Sequence, residues 1–300
     1  MLPSLTTEHA PTGWQGQVGR AVLANLLRHN HSVTAFERSP DAWRSWEAED
    51  GPVPDGVECV YGDIVDHAAV SAVVDRVDAV VHTAVFFPPS VNVNMPDYQT
   101  AGLQGGEDID SEQVWLVNLK GLWNVLDAAQ RSGVQRVVHL GSCHSVHADV
   151  PFFSAEVRRP DGALYAITKR LQEEMCRQFF DAHGLRTIVL RPDCIMDCEL
   201  GIGRFKEALP GPFTGGDGWV DRHDLADAVR LAIVSVTAPD FDVLHTVHTN
   251  ADGAPPPDET CNTAHTREVL GWECRADPRR MAELRQNDRG TGNDNAAARL

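Results

Sequence analysis

Tyr165 and Lys169 stand four residues apart in Tyr165-Ala-Ile-Thr-Lys169. Residues at i and i+4 share one face of an α-helix, and Leu171, Met175 and Phe179 recur downstream at helical spacing. An ammonium held beside a phenol stabilises the phenolate. The pair is therefore suited to taking a proton from an alcohol or returning one to a carbonyl. The same spacing occurs by chance on amphipathic helices, so the pair needs context. Lysine is scarce in this chain, at Lys120, Lys169 and Lys206 only.

A second group with chemical potential is Thr12-Gly13-Trp-Gln-Gly16-Gln-Val-Gly19. Glycines spaced by three permit a tight turn, close backbone approach to a phosphate and close helix packing. The free N–H groups of the following helix would then face a pyrophosphate. The apolar strand that should precede this turn is missing from the pattern. Thr6-Thr-Glu-His-Ala-Pro-Thr12 is polar and contains Pro11, against the composition of a central parallel strand. Trp14 is also unusual inside a phosphate turn. The next strand ends at Glu37, about 20 residues past the glycines, where a carboxylate can bind a ribose 2′-hydroxyl. Glu37 favours NAD, whereas Arg38 suits the 2′-phosphate of NADP or a cover over adenine. Asp63 follows the third strand and is either an adenine contact or a turn residue.

The elements that must position these groups alternate strand and helix, which predicts a parallel sheet covered by helices. Helices are expected over 18–28, 112–132, the Tyr165 segment to Gly184, from Trp219 onward, and 263–270 ending at Gly271. Strands are expected over 32–36, 57–61, 78–84, 135–140, 186–190 and 243–248. The 201–218 stretch and the 86–110 tract read as loops, and the polar tail from about Gln286 as disordered. The 300 residues carry 26 basic and 43 acidic groups, a net charge of −17, which argues against general nucleic-acid or anionic-membrane binding. Seven scattered cysteines do not form a secreted disulfide framework, and Cys194 and Cys198 lack a second pair for zinc. The start has no signal-peptide pattern and no apolar run reaches membrane-spanning length, so a cytoplasmic location is expected.

Taken together, these landmarks resemble the extended short-chain dehydrogenase/reductase superfamily, in its NAD-dependent epimerase/dehydratase branch. The match runs through the Thr12–Gly19 turn, Gly62-Asp63, Val80-Val-His-Thr-Ala84, Val117-Asn118-x-x-Gly121-x-x-Asn124 and Val137-Val-His-Leu-Gly-Ser142. It continues through Tyr165-x-x-x-Lys169, Leu190-Arg-Pro192, Trp219-Val-x-x-x-Asp224 and Leu270-Gly-Trp-Glu273. The resemblance implies an α/β, Rossmann-like doubly wound sheet over residues 1–192. A smaller substrate-binding part, 193–285, interleaves with it, and 286–300 form the tail. By resemblance Tyr165 is the acid/base, Lys169 tunes it and holds the nicotinamide ribose, and Asn118 supports the site. Counting forward from the strand, Ser142 supplies the hydroxyl to the substrate oxygen. Counting back from Val146 gives Cys143, but a thiol is a weak donor; Ser145 is a lesser candidate.

The cofactor positions carried over are Gly13, Gln15, Gly16, Gln17, Val18, Gly19, Glu37, Arg38, Asp63, Ile64, Thr83, Ala84, Val85, Tyr165, Lys169 and Pro192. Substrate contacts fall on Phe86, Ser142, Cys143, His144 and Asp193. The implied activity is hydride transfer between NAD, or NADP, and a secondary alcohol or carbonyl of a sugar-like small molecule. Alternatives are a nucleotide-sugar epimerase or dehydratase, and a catalytically silent NAD-sensing or partner-binding protein. The superfamily habit of pairing the Asn118 and Tyr165 helices implies a homodimer.

Overall fold

Strands that lie between two helical layers are buried along their whole length. In the computed structural model, which describes residues 5–9, 16–44, 46–86, 111–142, 164–203, 206, 219–247 and 263–276, several strands meet that condition. The main sheet comprises β1 (Leu5–His9), β2 (Val33–Glu37), β3 (Val57–Tyr61), β4 (Ala79–His82), β5 (Arg136–Leu140), β6 (Thr187–Pro192) and, after three strands of another sheet, β10 (Phe241–Thr246). Every residue of β2, β4, β5 and β6 is buried, while β3 at the sheet edge is partly exposed. The order across the sheet is β10-β6-β5-β4-β1-β2-β3, and each neighbouring pair is parallel.

The helices are α1 (Gly16–Arg28), α2 (Asp41–Arg44), α3 (Glu47–Asp50), α4 (His67–Val74), α5 (Ser111–Trp115), α6 (Leu122–Ser132), α7 (Leu164–His183), α8 (Arg222–Val234) and α9 (Thr263–Leu270). A π-turn, Leu116–Gly121, joins α5 to α6. One core lies under α1 and α8, with Val22, Leu23, Leu26, Leu225 and Val229 against Ala35, Val81, Val138 and Ile188. The other lies under α4, α6 and α7, with Val70, Val125, Cys176 and Phe179 against Val80 and Val137. Neighbouring strand residues point to opposite faces, which is why Val80 and Val81 serve different cores.

The C-terminal chain returns to the first core through Val220, Trp272 and α8. Asp224 ties this return. Its Oδ2 accepts from the Arg275 and Ala276 N–H groups, both at 2.9 Å, and its carbonyl accepts from the Trp272 indole at 2.8 Å. No described helix is long and apolar enough to cross a membrane.

Three sequence expectations need correction. The polar N-terminal segment does supply the first strand. β1 pairs with β2 from Leu5↔Val33 to His9↔Glu37 and with β4 from Leu5↔Ala79 to Glu8↔His82. Backbone pairing on both edges outweighs the polar composition that argued against a central strand. Second, Trp219 begins a strand rather than a helix. β9 (Trp219–Asp221) runs parallel to β7 (Cys194–Asp197), and β8 (Ile202–Gly203) completes this small sheet. Only then does Asp221 cap α8, accepting from the His223 N–H at 2.7 Å and the Asp224 N–H at 3.4 Å. Third, the helix expected over 112–132 contains the π-turn. Trp14, most of the 86–110 tract, His144 and the expected tail lie outside the described residues.

Candidate active site

A parallel sheet puts the carboxyl ends of its strands on one edge. Here that edge gathers Glu37 at the end of β2, Thr83 to Phe86 after β4, Gly141 and Ser142 after β5, and Pro192 and Asp193 at the end of β6. The strand order reverses between β1 and β4, opening the crevice where such sheets take ligands. α1 starts at Gly16 beside it. Gln17 and Gly19 are buried and Val18 is half-buried. Both side-chain amide atoms of Gln17 are buried with no hydrogen bond among the described residues.

Glu37 is 3% exposed at this edge. Its Oε1 accepts from the Arg38 N–H at 2.9 Å, and no cation pairs with it among the described residues. Burial pushes its carboxyl up to about 8, only partly opposed by that N–H. Asp63 serves a turn: its Oδ1 accepts from the Val65 N–H at 3.0 Å, and its Oδ2 stands 3.9 Å from Arg38 Nε. Ile64 is buried beneath it. A glycine-led helix start and a buried carboxylate with an uncommitted oxygen fit the pyrophosphate and ribose of a dinucleotide.

Across the crevice, α7 carries Tyr165 and Lys169. Lys169 is 3% exposed, lies 5.9 Å from the centre of the Tyr165 ring, and donates to the Leu140 carbonyl at 2.8 Å. That bond anchors the ammonium to the end of β5, next to the buried Ser142. Burial lowers Lys169 to about 8, with Glu173 opposing the shift.

Asn118 sits inside the π-turn and joins three elements. Its Oδ1 accepts from the Phe86 N–H at 2.6 Å, and its Nδ2 donates to the Phe86 carbonyl and to Thr168 Oγ1, both at 3.2 Å. Thr168 in turn donates to the Tyr165 carbonyl at 2.9 Å, and Gln172 donates to the Asn118 carbonyl at 2.6 Å. Asn118 thus fixes the segment after β4 against the helix bearing Tyr165. Single π-turns commonly mark functional positions in helices. The same helix holds the other wall, where Asn124 Nδ2 donates to the Ile64 and Val65 carbonyls at 2.8 and 2.9 Å.

Sequence reasoning did not find Thr168, Gln172 or two buried pairs around Lys169. Glu173 and Arg191 form a buried ion pair, with Nε–Oε1 at 2.9 Å and Nη2–Oε2 at 2.5 Å. His82 and His139, level on β4 and β5, have their Nδ1 atoms 3.0 Å apart. One ring must donate and the other accept, so the two hold different tautomers. Burial and Lys169 push His82 down to about 3, and burial, His82 and Lys169 push His139 down as well. The pair therefore stays neutral beneath the ammonium. The sequence showed these residues but no local spacing that joins them.

Gly141 is part of the same packing. A Cβ there would lie 2.8 Å from Glu173 Oε1 and 3.0 Å from Val189 Cγ1. Gly141→Ala is expected to cost about 1–3 kcal/mol by overpacking, measured as a lower midpoint in urea with an unchanged slope.

The catalytic expectations on Ser142, Asn118, Tyr165 and Lys169 converge on this edge, with Glu37, Thr83, Ala84, Val85, Phe86, Pro192 and Asp193. Gly13, Gln15, Cys143 and His144 lie outside the described residues. Among the described residues no group of three His, Cys, Asp or Glu side chains is placed to hold a metal ion.

Known proteins are similar to this chain in sequence and in fold. A 3 beta-hydroxysteroid dehydrogenase/Delta 5-->4-isomerase of Mycobacterium tuberculosis (strain CDC 1551 / Oshkosh) is 30% identical over 202 residues, 64% of this chain and 49% of that protein. A uronate dehydrogenase of Pseudomonas putida is 25% identical over 185 residues, 60% of this chain and 58% of that protein. The chain thus spans about half the length of these curated relatives. A solved short-chain dehydrogenase/reductase superfamily protein from Agrobacterium tumefaciens, with bound NAD, superposes with a TM-score of 0.70 at 18% identity, covering 98% of this chain and 100% of that one. That likeness establishes the fold. The family model for NAD dependent epimerases and dehydratases matches residues 12–195, from the glycine turn through Tyr165 and Lys169 into β7. With that span matched, the chain belongs to the NAD dependent epimerase/dehydratase family.

Proposed function

We propose that this protein is an NAD-dependent oxidoreductase acting on a secondary alcohol or carbonyl, with a sugar or uronic acid as the substrate class. The observation that carries this reading is the anchored Lys169 beside Tyr165, opposite the buried Glu37. The start of α1 would hold the pyrophosphate, Glu37 the adenosine ribose, and Lys169 the nicotinamide ribose. When bound, NAD supplies the hydride acceptor. The protein's own residues handle the proton: Tyr165 takes it from the substrate hydroxyl, and the Lys169 ammonium stabilises the resulting phenolate. Ser142 donates to the substrate oxygen, and Asn118 keeps the Tyr165 helix and the Phe86 segment in place.

A 3β-hydroxysteroid is a second substrate class, favoured by the relative at 30% identity. Epimerisation would require the same Tyr165 to serve both faces of a retained ketone. We assign the half-exposed Trp115, Trp123 and Leu171 on α5, α6 and α7 to a homodimer face, which light scattering in solution would report as twice the chain mass.

Calorimetric titration with NAD is expected to show one site per chain. A screen of uronic acids, aldoses and 3β-hydroxysteroids, following reduced nicotinamide by absorbance, should then give turnover with one class. Failure of NAD to bind would end this reading. Binding without turnover of any alcohol, together with conversion of a nucleotide-sugar, would replace dehydrogenation by epimerisation.

A further inference from the structure

The adenosine end of the proposed NAD site has an uncommon charge arrangement. Glu37 is buried and accepts one backbone N–H, while Arg38, the next residue, turns outward to Asp63. The Arg38 and Asp63 side chains are 56% and 48% exposed and 3.9 Å apart. A pair so exposed and so loosely held contributes little to stability, so Arg38 can leave at small cost. Among the described residues, Tyr61 on β3 lies near enough to feel its charge, and on the other side the β1 backbone pairs with it at His9.

We propose that Glu37, Arg38 and Asp63 form a proton-operated selector between the two nicotinamide dinucleotides. With Glu37 ionised, its carboxylate accepts the hydroxyls of an unmodified ribose, as in NAD. With Glu37 protonated, it no longer repels a 2′-phosphate, and Arg38 leaves Asp63 to hold that phosphate, as in NADP. This deepens the proposed NAD site and rests on it.

The linkage has opposite signs for the two cofactors. A diol favours the carboxylate, so NAD binding draws off a proton where free Glu37 is protonated, below about 8. NAD affinity therefore falls as pH drops through that range. A phosphate dianion favours the carboxylic acid, so NADP binding takes up a proton where free Glu37 is ionised, and its affinity falls as pH rises. Each limb approaches a tenfold change per pH unit.

The test is calorimetric titration with NAD and with NADP at several pH values between about 7 and about 9, in buffers of differing ionisation enthalpy to count protons. The ratio of NADP to NAD dissociation constants is expected to rise at least about tenfold over that range. NAD should release protons at the low end and NADP should take them up at the high end. Glu37→Gln should flatten the ratio and improve NADP binding at high pH, and Arg38→Gln should weaken NADP far more than it weakens NAD. A constant ratio with NAD still bound would overturn the selector and leave the NAD site standing. Retention of the wild-type pH dependence in Glu37→Gln would overturn the selector in the same way. Absence of binding by either cofactor at every pH would overturn both.

Discussion

Tyr165→Phe is expected to lower kcat about 10²–10⁴-fold on whichever alcohol the enzyme turns over, the range for losing a positioned acid/base. The NAD dissociation constant should stay within about threefold, because Phe keeps the ring beside Lys169 and loses only the hydroxyl that we propose handles the proton. The two measurements together discriminate between roles. A structural tyrosine would change both, through the Thr168 bond to its carbonyl and the Asn118 network behind it. A tyrosine used only for binding would raise KM with kcat intact. Full activity in Tyr165→Phe would remove the acid/base assignment outright. Ser142→Ala should act more mildly, since in the proposed mechanism it removes one hydrogen bond to the substrate oxygen rather than the proton acceptor.

Much of this edge was legible because its chemistry is local. Tyr165 and Lys169 lie one helical turn apart, Glu37 ends a strand, and continuous apolar runs such as Val80-Val81 and Val137-Val138 mark buried parallel strands. β3 and α9 have the bounds their residues predict, the latter closed by Gly271 at a φ of 65°. What was not legible depends on partners distant in the chain. β1 is polar and becomes a strand through pairing on both sides. The π-turn has no signature in Leu116–Gly121, since its extra residue goes with Asn118 reaching Phe86, 32 residues away. Trp219–Asp221 looks like the start of a helix until β7 lies beside it. The His82–His139 contact requires that β4 and β5 be neighbours, although the two histidines stand 57 residues apart in the chain.

The largest stability effect is expected at a site with no local signal at all. Arg222, the first residue of α8, is 3% exposed and joins two carboxylates from different parts of the chain. Its Nη1 and Nη2 donate to Asp50 at 2.7 and 2.6 Å, and its Nε donates to Asp197 at 2.6 Å. The buried Trp46 ring lies 5.3 Å from the guanidinium. Asp50 belongs to α3, beyond the Glu37 strand, and Asp197 ends β7, so this one side chain ties the cofactor half to the small sheet. Burial alone would push Asp197 up. His223, the Leu200 N–H and Arg222 outweigh it and bring it down to about 2. We assign most of that hold to the Arg222 Nε bond and the Leu200 N–H at 2.7 Å, because His223 Nε2 stands 3.8 Å away and acts through charge only. Arg222→Met should leave Asp197 buried without its guanidinium and cost about 3–5 kcal/mol, a fall in Tm on the order of 10 °C. Arg222→Lys should recover only part, since an ammonium cannot reproduce the planar fork across two carboxylates. The pH dependence gives the sharper check. The depressed Asp197 stabilises the fold above its ordinary value of 3.8, and that contribution is lost as pH falls through about 2. Urea unfolding of wild type and Arg222→Met should therefore differ most near neutrality and converge under strong acid. A gap that stays constant down to that acid range would mean that Arg222 stabilises the protein by packing on Trp46 rather than by charge.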